Sequence, residues 1–315
     1  MSSISYKTSG RHISKPITRK IYCAVKLKEK AKITSGIVSY EAGRGKPPQT
    51  KEDVKNRIYD SDKKENEEYK QYLVGRNINK YSTMPISTQW IKFGDCLATQ
   101  RKSLDFTKNK IVIRQTSDHI IAAIDSNGLL NLKSVHNVVI KDNASMNYEY
   151  VLCVLNSRLI DFIYRYLVPK IGRVFAEVKA VKLSELPIYP ETPEQQKPFI
   201  EKADLMLQFN KDLMDEINSF KDWLKHTFNV EKFSKKLDKY YELTFGEFMA
   251  ELKKKRVDVA SRKNYALLKK EFEESISTIH PLIDEISEID KLIDSMVYDL
   301  YGLTDEEIQI VEDNL

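Results

Sequence analysis

Residues 90–116 read WIKFGDCLATQRKSLDFTKNKIVIRQT, and the character of the whole chain turns on them. Trp90, Ile91 and Phe93 at one end, and Ile111, Val112 and Ile113 at the other, are the aromatic and β-branched residues that fill a pleated, half-buried surface. Gln100, Arg101 and Lys102 lie between the two runs, and Arg114, Gln115 and Thr116 follow the second. Their donors suit phosphate oxygens and base edges. The stretch is either a basic loop presented between strands or an ordinary strand pair with a solvated turn.

The chain has 315 residues, enough for two domains at the usual size of about 150 each. Hydrophobic residues at 41%, aromatics at 10% and charged residues at 31% predict a globular, soluble protein. No apolar run approaches the roughly 18 residues of a membrane span, and MSSISYKTSGRHISKPITRK has no apolar core for a secretory signal. A cytoplasmic location is expected. Cys23, Cys96 and Cys153 are far apart, odd in number and without metal-ligand spacing, which predicts reduced structural thiols.

The net charge of +5 hides a division. Residues 1–190 carry 33 Lys and Arg against 18 Asp and Glu, a balance of +15, which leaves 18 against 28, or −10, for residues 191–315. A basic region with interspersed aromatics is the electrostatic footprint of a polyanion binder, and an acidic helical region is suited to protein contacts. Solvated surfaces on both halves would give the same balance.

Residues 1–32 hold nine basic residues and one acid, Glu29, and read as a basic arm or extension. KITSGIVSYEAGRGKPPQTKEDVKNRIY then predicts a short strand from Ile33, a turn rich in Gly and Pro, and a short helix from about Lys51. GRGKPP lacks the GKS/T ending of a phosphate-binding loop, so it does not predict nucleotide binding, although Arg44 and Lys46 could reach a phosphate backbone from it. QYLVGRNINKY predicts a strand ending at Gly75, with Arg76 and Asn77 at the turn. Further strands follow in HIIAAIDSNGLLNLKSVHNVVIKD, where SNG at 126–128 carries the signal of a tight hairpin. From Asn147 to Leu167 apolar residues recur every three or four positions, predicting one amphipathic helix packed on the sheet, with Arg158 and Arg165 on a shared face. The prolines of SELPIYPETP close this module near residue 190.

Beyond Pro193 the pattern is helical. Ile200, Ala203, Leu207, Asn210, Met214 and Ile217 predict a long helix over about 194–226. Leu268, Phe272, Ile276, Ile279, Ile283, Ile286, Ile289, Ile293 and Val297 predict a second, kinked or restarted at Pro281, the two forming an antiparallel, coiled-coil-like pair. Shorter helices are expected between them, and Thr304 with Glu307 forms a capping box for a final helix.

The series GIVSYEAGRGKPPQT, YLVGRNINKY, WIKFG, KIVIRQT, VLCVLNSRLIDFIY, VKAVKLSELPIYP and EQQKPFIEKADLML resembles, in that order, the TaqI-like C-terminal specificity domain. The resemblance covers residues 33–217 and returns over 286–312, which include IDKLIDSMVYDLYGLTDEEIQIVE. It implies the target-recognition part of an adenine-specific DNA methyltransferase or a type IIG restriction-modification enzyme. In that family the specificity domain and a methyltransferase domain clamp double-stranded DNA between them, and the target adenine is flipped for methyl transfer. This sequence departs from a complete enzyme. It has no NPPY-like or DPPY-like tetrapeptide and no Gly-rich cofactor motif after a strand, so S-adenosylmethionine, and Mg2+ for cleavage, are expected in a separate catalytic part.

The expected architecture is α+β: an irregular β-rich target-recognition module with a packed helix over 33–190, then a long-helix region over 191–315 that spaces, docks or dimerises it. The candidate DNA-binding residues are Arg44, Lys46, Arg76, Asn77, Arg101, Lys102, Arg114, Gln115 and Arg173, while Tyr40 and Trp90 are expected in the core. Asp161, Glu177 and Lys179 imitate the spacing of a metal-dependent nuclease, but no second pattern supports them. The histidines at 12, 119, 136, 226 and 280 are scattered. Two other readings stay open: a detached half-specificity subunit resembling those of type I systems, dimerising through its helices and recruiting a methyltransferase, and an interaction protein that binds no DNA.

Overall fold

The computed structural model of the chain describes residues 24–84, 86, 88–99, 109–168 and 177–315. The chain divides into two compact units, one made of the residues up to Ala203 together with Ile293–Leu315, the other of Asp204–Leu292. The first unit therefore extends past the boundary expected near residue 190 and takes in a segment assigned from sequence to the helical region. Specific contacts hold that segment. The Tyr301 hydroxyl donates to the Pro187 carbonyl at 2.8 Å, its ring meets Tyr189 edge-on at 5.3 Å, and Arg158 forms ion pairs with Asp294 and Glu312.

The strands of the first unit are, in chain order, β1 Val25–Lys26, β2 Ala31–Ser35, β3 Asp60–Ser61, β4 Tyr69–Leu73, β5 Ile78–Asn79 and β6 Ser82–Thr83. They continue with β7 Trp90–Lys92, β8 Lys110–Arg114, β9 Ala122–Asp125, β10 Leu130–Asn131, β11 Val135–Ile140 and β12 Pro187–Ile188. One four-stranded sheet has the order β10-β4-β7-β3 and the other β2-β11-β8-β9, with β1-β12 and β5-β6 as small separate pairs. Residues 25–32, expected in a basic arm, thus belong to the fold, since β1 pairs with β12 and β2 with β11. The rest of that arm lies outside the described residues.

Two local expectations are corrected. WIK and KIVIR are not a strand pair: β7 pairs with β3 and β4, and β8 with β9 and β11. The SNG turn forms, with Gly128 at φ 66°, but it is no hairpin. Asp125 accepts from the Asn127 and Leu129 amides at 3.0 and 2.9 Å, and the chain crosses to the other sheet, where β10 runs parallel to β4. The two sheets are stitched by the bridge between Ile37 and Leu132. Gly36 permits this approach, because a Cβ there would stand 2.1 Å from the Leu132 carbonyl oxygen.

The helices of the first unit begin with α1 Leu27–Lys30 and α2 Lys51–Asn56. The expected single helix over 147–167 is two, α3 Tyr148–Asn156 and α4 Arg158–Leu167. Ser157 separates them with extended backbone (φ −70°, ψ 152°), and its hydroxyl accepts from the Ile160 amide to cap α4. Asn156 fastens α3 to the sheet by accepting from the Ala122 amide at 2.9 Å and donating to its carbonyl at 3.0 Å. α5 Ala180–Leu183 follows.

α6 Pro193–Phe228, α7 Lys235–Asp238, α8 Phe245–Lys254 and α9 Arg262–Leu300 complete the long-helix region, and α9 continues through Pro281 rather than restarting there. α10 Asp305–Glu312 is capped as expected, Thr304 and Glu307 exchanging side-chain to backbone bonds. Within the second unit, Ile217, Phe220 and Leu224 of α6 and Leu268, Phe272 and Ile279 of α9 share one core with Leu237, Tyr240, Phe248 and Leu252. The short helices between the long ones thus supply much of that core. Phe220 stacks on Tyr240 at 4.2 Å, and Phe248 on Phe272 at 4.8 Å. Among the described residues no helix is long and apolar enough to cross a membrane.

Candidate functional site

Where the two large sheets meet, the chain leaves β4, β8 and β10 in short connections that leave a cleft. Its larger part, about 670 Å³, is lined by Arg57, Asp60, Tyr72, Arg76, Gln89, Arg114 and Thr116 among others. A smaller part of about 340 Å³ adds Tyr40, Gln115 and Lys133, and the two share Arg57, Val74 and Ser134. The described residues that line it include the cations Arg57, Arg76, Arg114 and Lys133 and one carboxylate, Asp60. The charge of this lining is of the sign that attracts an anion.

Arg57 is set by its place at the end of α2. Thr50 and Asp53 start that helix with a capping box, and Arg57 stops it in the left-handed region at φ 49°. Its Nε donates to Asp60 Oδ2 at 2.6 Å, and its guanidinium carbon lies 4.9 Å from the centre of the Tyr40 ring. Asp60 also accepts from the Tyr40 and Tyr72 hydroxyls at 2.9 and 3.3 Å. Burial, followed by the adjacent Asp60 carboxylate, pushes the Tyr40 phenol well above its ordinary range, so it stays a hydrogen-bond donor.

Arg76 is exposed and less constrained, its guanidinium 3.4 Å from Gln89 Oε1. Gln89 is buried, and its amide donates to the Tyr72 carbonyl at 2.6 Å and to Asn77 Oδ1 at 3.2 Å. Arg114 ends β8 and is half-buried, with Nε donating to the Gly75 carbonyl at 2.8 Å and Nη2 to the Ile78 carbonyl at 2.5 Å. Burial lowers the pKa of its guanidinium from the ordinary value. The segment carrying Arg76 is further pinned by the Gly75 amide donating to Ser134 Oγ at 2.9 Å.

The cleft brings together Arg76, Arg114 and Gln115 of the residues expected from sequence. Gln115 is turned partly inward, its side-chain amide donating to Glu177 and its carbonyl accepting from the Val178 amide at 2.7 Å. Asn77 has a different place. It is 2% exposed, accepts from the Val74 amide and donates to the Met84 carbonyl, so it orders the turn that presents Arg76. Arg44 and Lys46 are exposed on a separate loop that the buried Gln49 closes by donating to the Ser39 and Cys96 carbonyls. Arg101, Lys102 and Arg173 lie outside the described residues.

Arg158 and Arg165 are engaged elsewhere, Arg165 with Asp161 at 3.0 Å and with the Leu315 carbonyl at 2.8 Å. Asp161, whose carboxyl burial raises, also accepts from the Ile120 amide, while Glu177 takes the Gln115 amide. Sequence reasoning missed Arg57, Gln89 and Lys133. For Arg57 the capping box at Thr50 and Asp53 signals the start of α2 but not the left-handed end at which Arg57 sits.

These residues can now be set against known proteins. Residues 70–188 match the TaqI-like C-terminal specificity domain. The matched residues include Tyr72, Arg76, Gln89, Arg114, Gln115 and Lys133, and Tyr40, Arg57 and Asp60 precede them. Residues 192–297 match a second family described as a domain of unknown function (DUF8810). A protein of Methanocaldococcus jannaschii named as a type II restriction enzyme and methyltransferase, RM.MjaORFECS2P, is 30% identical over 166 residues, which cover 50% of this chain and 14% of that protein. The chain therefore spans about a seventh of that relative. Among solved structures, the type IIL restriction-modification enzyme MmeI in complex with DNA aligns with a TM-score of 0.37 and 12% identity over 87% of this chain and 37% of that one. The S subunit of a type I restriction-modification system from M. genitalium aligns at 0.34 and 9% identity, over 69% of this chain and 48% of that one.

Proposed function

We propose that this chain is the DNA sequence-reading part of a restriction-modification system, of the kind found in type IIG enzymes and adenine-specific DNA methyltransferases, and that it is not catalytic by itself. The observation that carries this reading is the cleft beside and within the residues that match the specificity domain, whose lining holds Arg57, Arg76, Arg114 and Lys133 and, of carboxylates among the described residues, Asp60, paired to Arg57. Arginine and lysine supply phosphate contacts there, and side chains fixed by internal bonds supply base contacts. In this reading S-adenosylmethionine, and Mg2+ where cleavage occurs, belong to a methyltransferase or endonuclease part outside these residues, and the protein works in the cytoplasm. A second reading is a half-specificity subunit that dimerises through the long helices, which leave Leu205, Tyr265 and Leu292 exposed.

Selection of bound duplexes from a random DNA pool, at low and at moderate salt, tests the proposal. An enriched motif of several base pairs supports it. Salt-sensitive binding without a motif reduces the cleft to a sequence-independent clamp, and absence of binding at both salts turns the assignment toward an interaction protein. Light scattering decides between monomer and dimer.

A further inference from the structure

We propose that Arg57 is a specificity-determining residue that reads one guanine through its O6 and N7 acceptors. The inference rests on the DNA-reading function proposed above and narrows it to one side chain and one base.

Phosphate contacts and base contacts ask different things of an arginine. A phosphate is held by net positive charge, and a neighbouring carboxylate works against it. A base edge is recognised by a fork of two N–H groups held at a fixed angle, which a carboxylate and an aromatic face provide. Arg57 has the second environment. Asp60 holds Nε at 2.6 Å and the Tyr40 ring lies against the guanidinium at 4.9 Å. Asp60 is itself fixed by the hydroxyls of Tyr40 and Tyr72, and by its amide donating to the Arg57 carbonyl at 2.9 Å. The Arg57 side chain remains about half exposed, at 49%, and lines both parts of the cleft. Arg76 provides the contrast, since it is exposed, meets the neutral Gln89 at 3.4 Å, and suits a phosphate.

The test compares motif selection and salt dependence for the unsubstituted chain, Arg57→Ala, Arg57→Lys, Asp60→Asn and Arg76→Ala, each checked by circular dichroism and thermal melting. For Arg57→Ala and Arg57→Lys the expected result is loss of the guanine preference at one position, with affinity for the best duplex down roughly ten- to hundred-fold and the salt slope unchanged. Asp60→Asn should blur the same position while raising affinity for unrelated DNA. Arg76→Ala should weaken all sequences alike and flatten the slope by about one unit. If Arg57→Ala behaves as Arg76→Ala does, or if Arg57→Lys restores full selectivity, Arg57 is a phosphate contact and the proposal is overturned. If the unsubstituted chain enriches no motif, the DNA-reading function falls first and the proposal with it. That failure is distinct from a motif that survives Arg57→Ala intact.

Discussion

Lys110 and Asp125 oppose each other across β8 and β9, with Nζ 2.7 Å from Oδ2 and side chains 2% and 0% exposed. Lys110 also donates to the Leu129 carbonyl at 3.0 Å, and Asp125 holds the two amides of the turn that carries the chain between sheets. Removing one partner strands a buried charge. Lys110→Met alone should cost about 3–5 kcal/mol, and Lys110→Met combined with Asp125→Asn should recover part of it. Urea unfolding followed by Trp90 fluorescence in a Trp223→Phe background isolates the first unit, because the chain has two tryptophans.

Gly36→Ala should also be damaging, for a steric reason. The new methyl would meet the Leu132 carbonyl at 2.1 Å, and the Gly36 and Ile37 amides, which donate to Val135 and Asn131 at 2.7 and 2.9 Å, would have to move with it. A loss of about 2–4 kcal/mol is expected, together with weaker ligand binding, since the cleft is built on this junction. Binding that stays at full strength in a destabilised variant would uncouple the seam from the site.

His136 makes stability depend on pH. It lies in β11 with Nδ1 3.0 Å from Ser35 Oγ and Nε2 2.7 Å from the Val178 carbonyl. Burial depresses its pKa, outweighing the Val178 carbonyl and the Glu177 carboxylate, which raise it. The unfolded chain therefore binds a proton first. Stability from this residue is complete above about pH 6.5 and is lost as the pH falls from there through the lower folded value. Melting temperatures between pH 8 and 5 should fall more steeply for the unsubstituted chain than for His136→Gln.

In the second unit, Phe248→Ala removes a ring that stacks on Phe272 and lies 5.8 Å from Phe220. A cost of about 3–5 kcal/mol is expected, reported by Trp223, whose ring lies 5.5 Å from Phe220.

The long helices were legible because their apolar spacing persists over many turns. Leu268, Phe272, Ile279, Ile289, Ile293 and Val297 are all buried. The single helix written across 147–167 failed at Ser157, since apolar spacing of three and four passes through one extended residue without a visible break. Strand content was readable at Trp90–Lys92 and Lys110–Arg114, but partnership was not. β-branched residues announce a buried strand whichever sheet receives it, and Asp125 redirected the chain with side-chain bonds that no local pattern encodes. At the cleft, Arg76 and Arg114 stood out as cations after strands, whereas Arg57, Gln89 and Lys133 arrive from separated segments. Asn77 shows the converse, a polar residue whose amide is spent on its own turn.

The division of the chain also sets an order of events during synthesis. Asp204–Leu292 is continuous, so the second unit can fold as soon as it clears the ribosome, whereas the first requires Ile293–Leu315. At about 5–20 residues per second, the residues up to Ala203 wait several seconds while the intervening segment is translated. During that interval the partners that Tyr301 gives Pro187 and Tyr189, and that Asp294 and Glu312 give Arg158, are missing from the first unit.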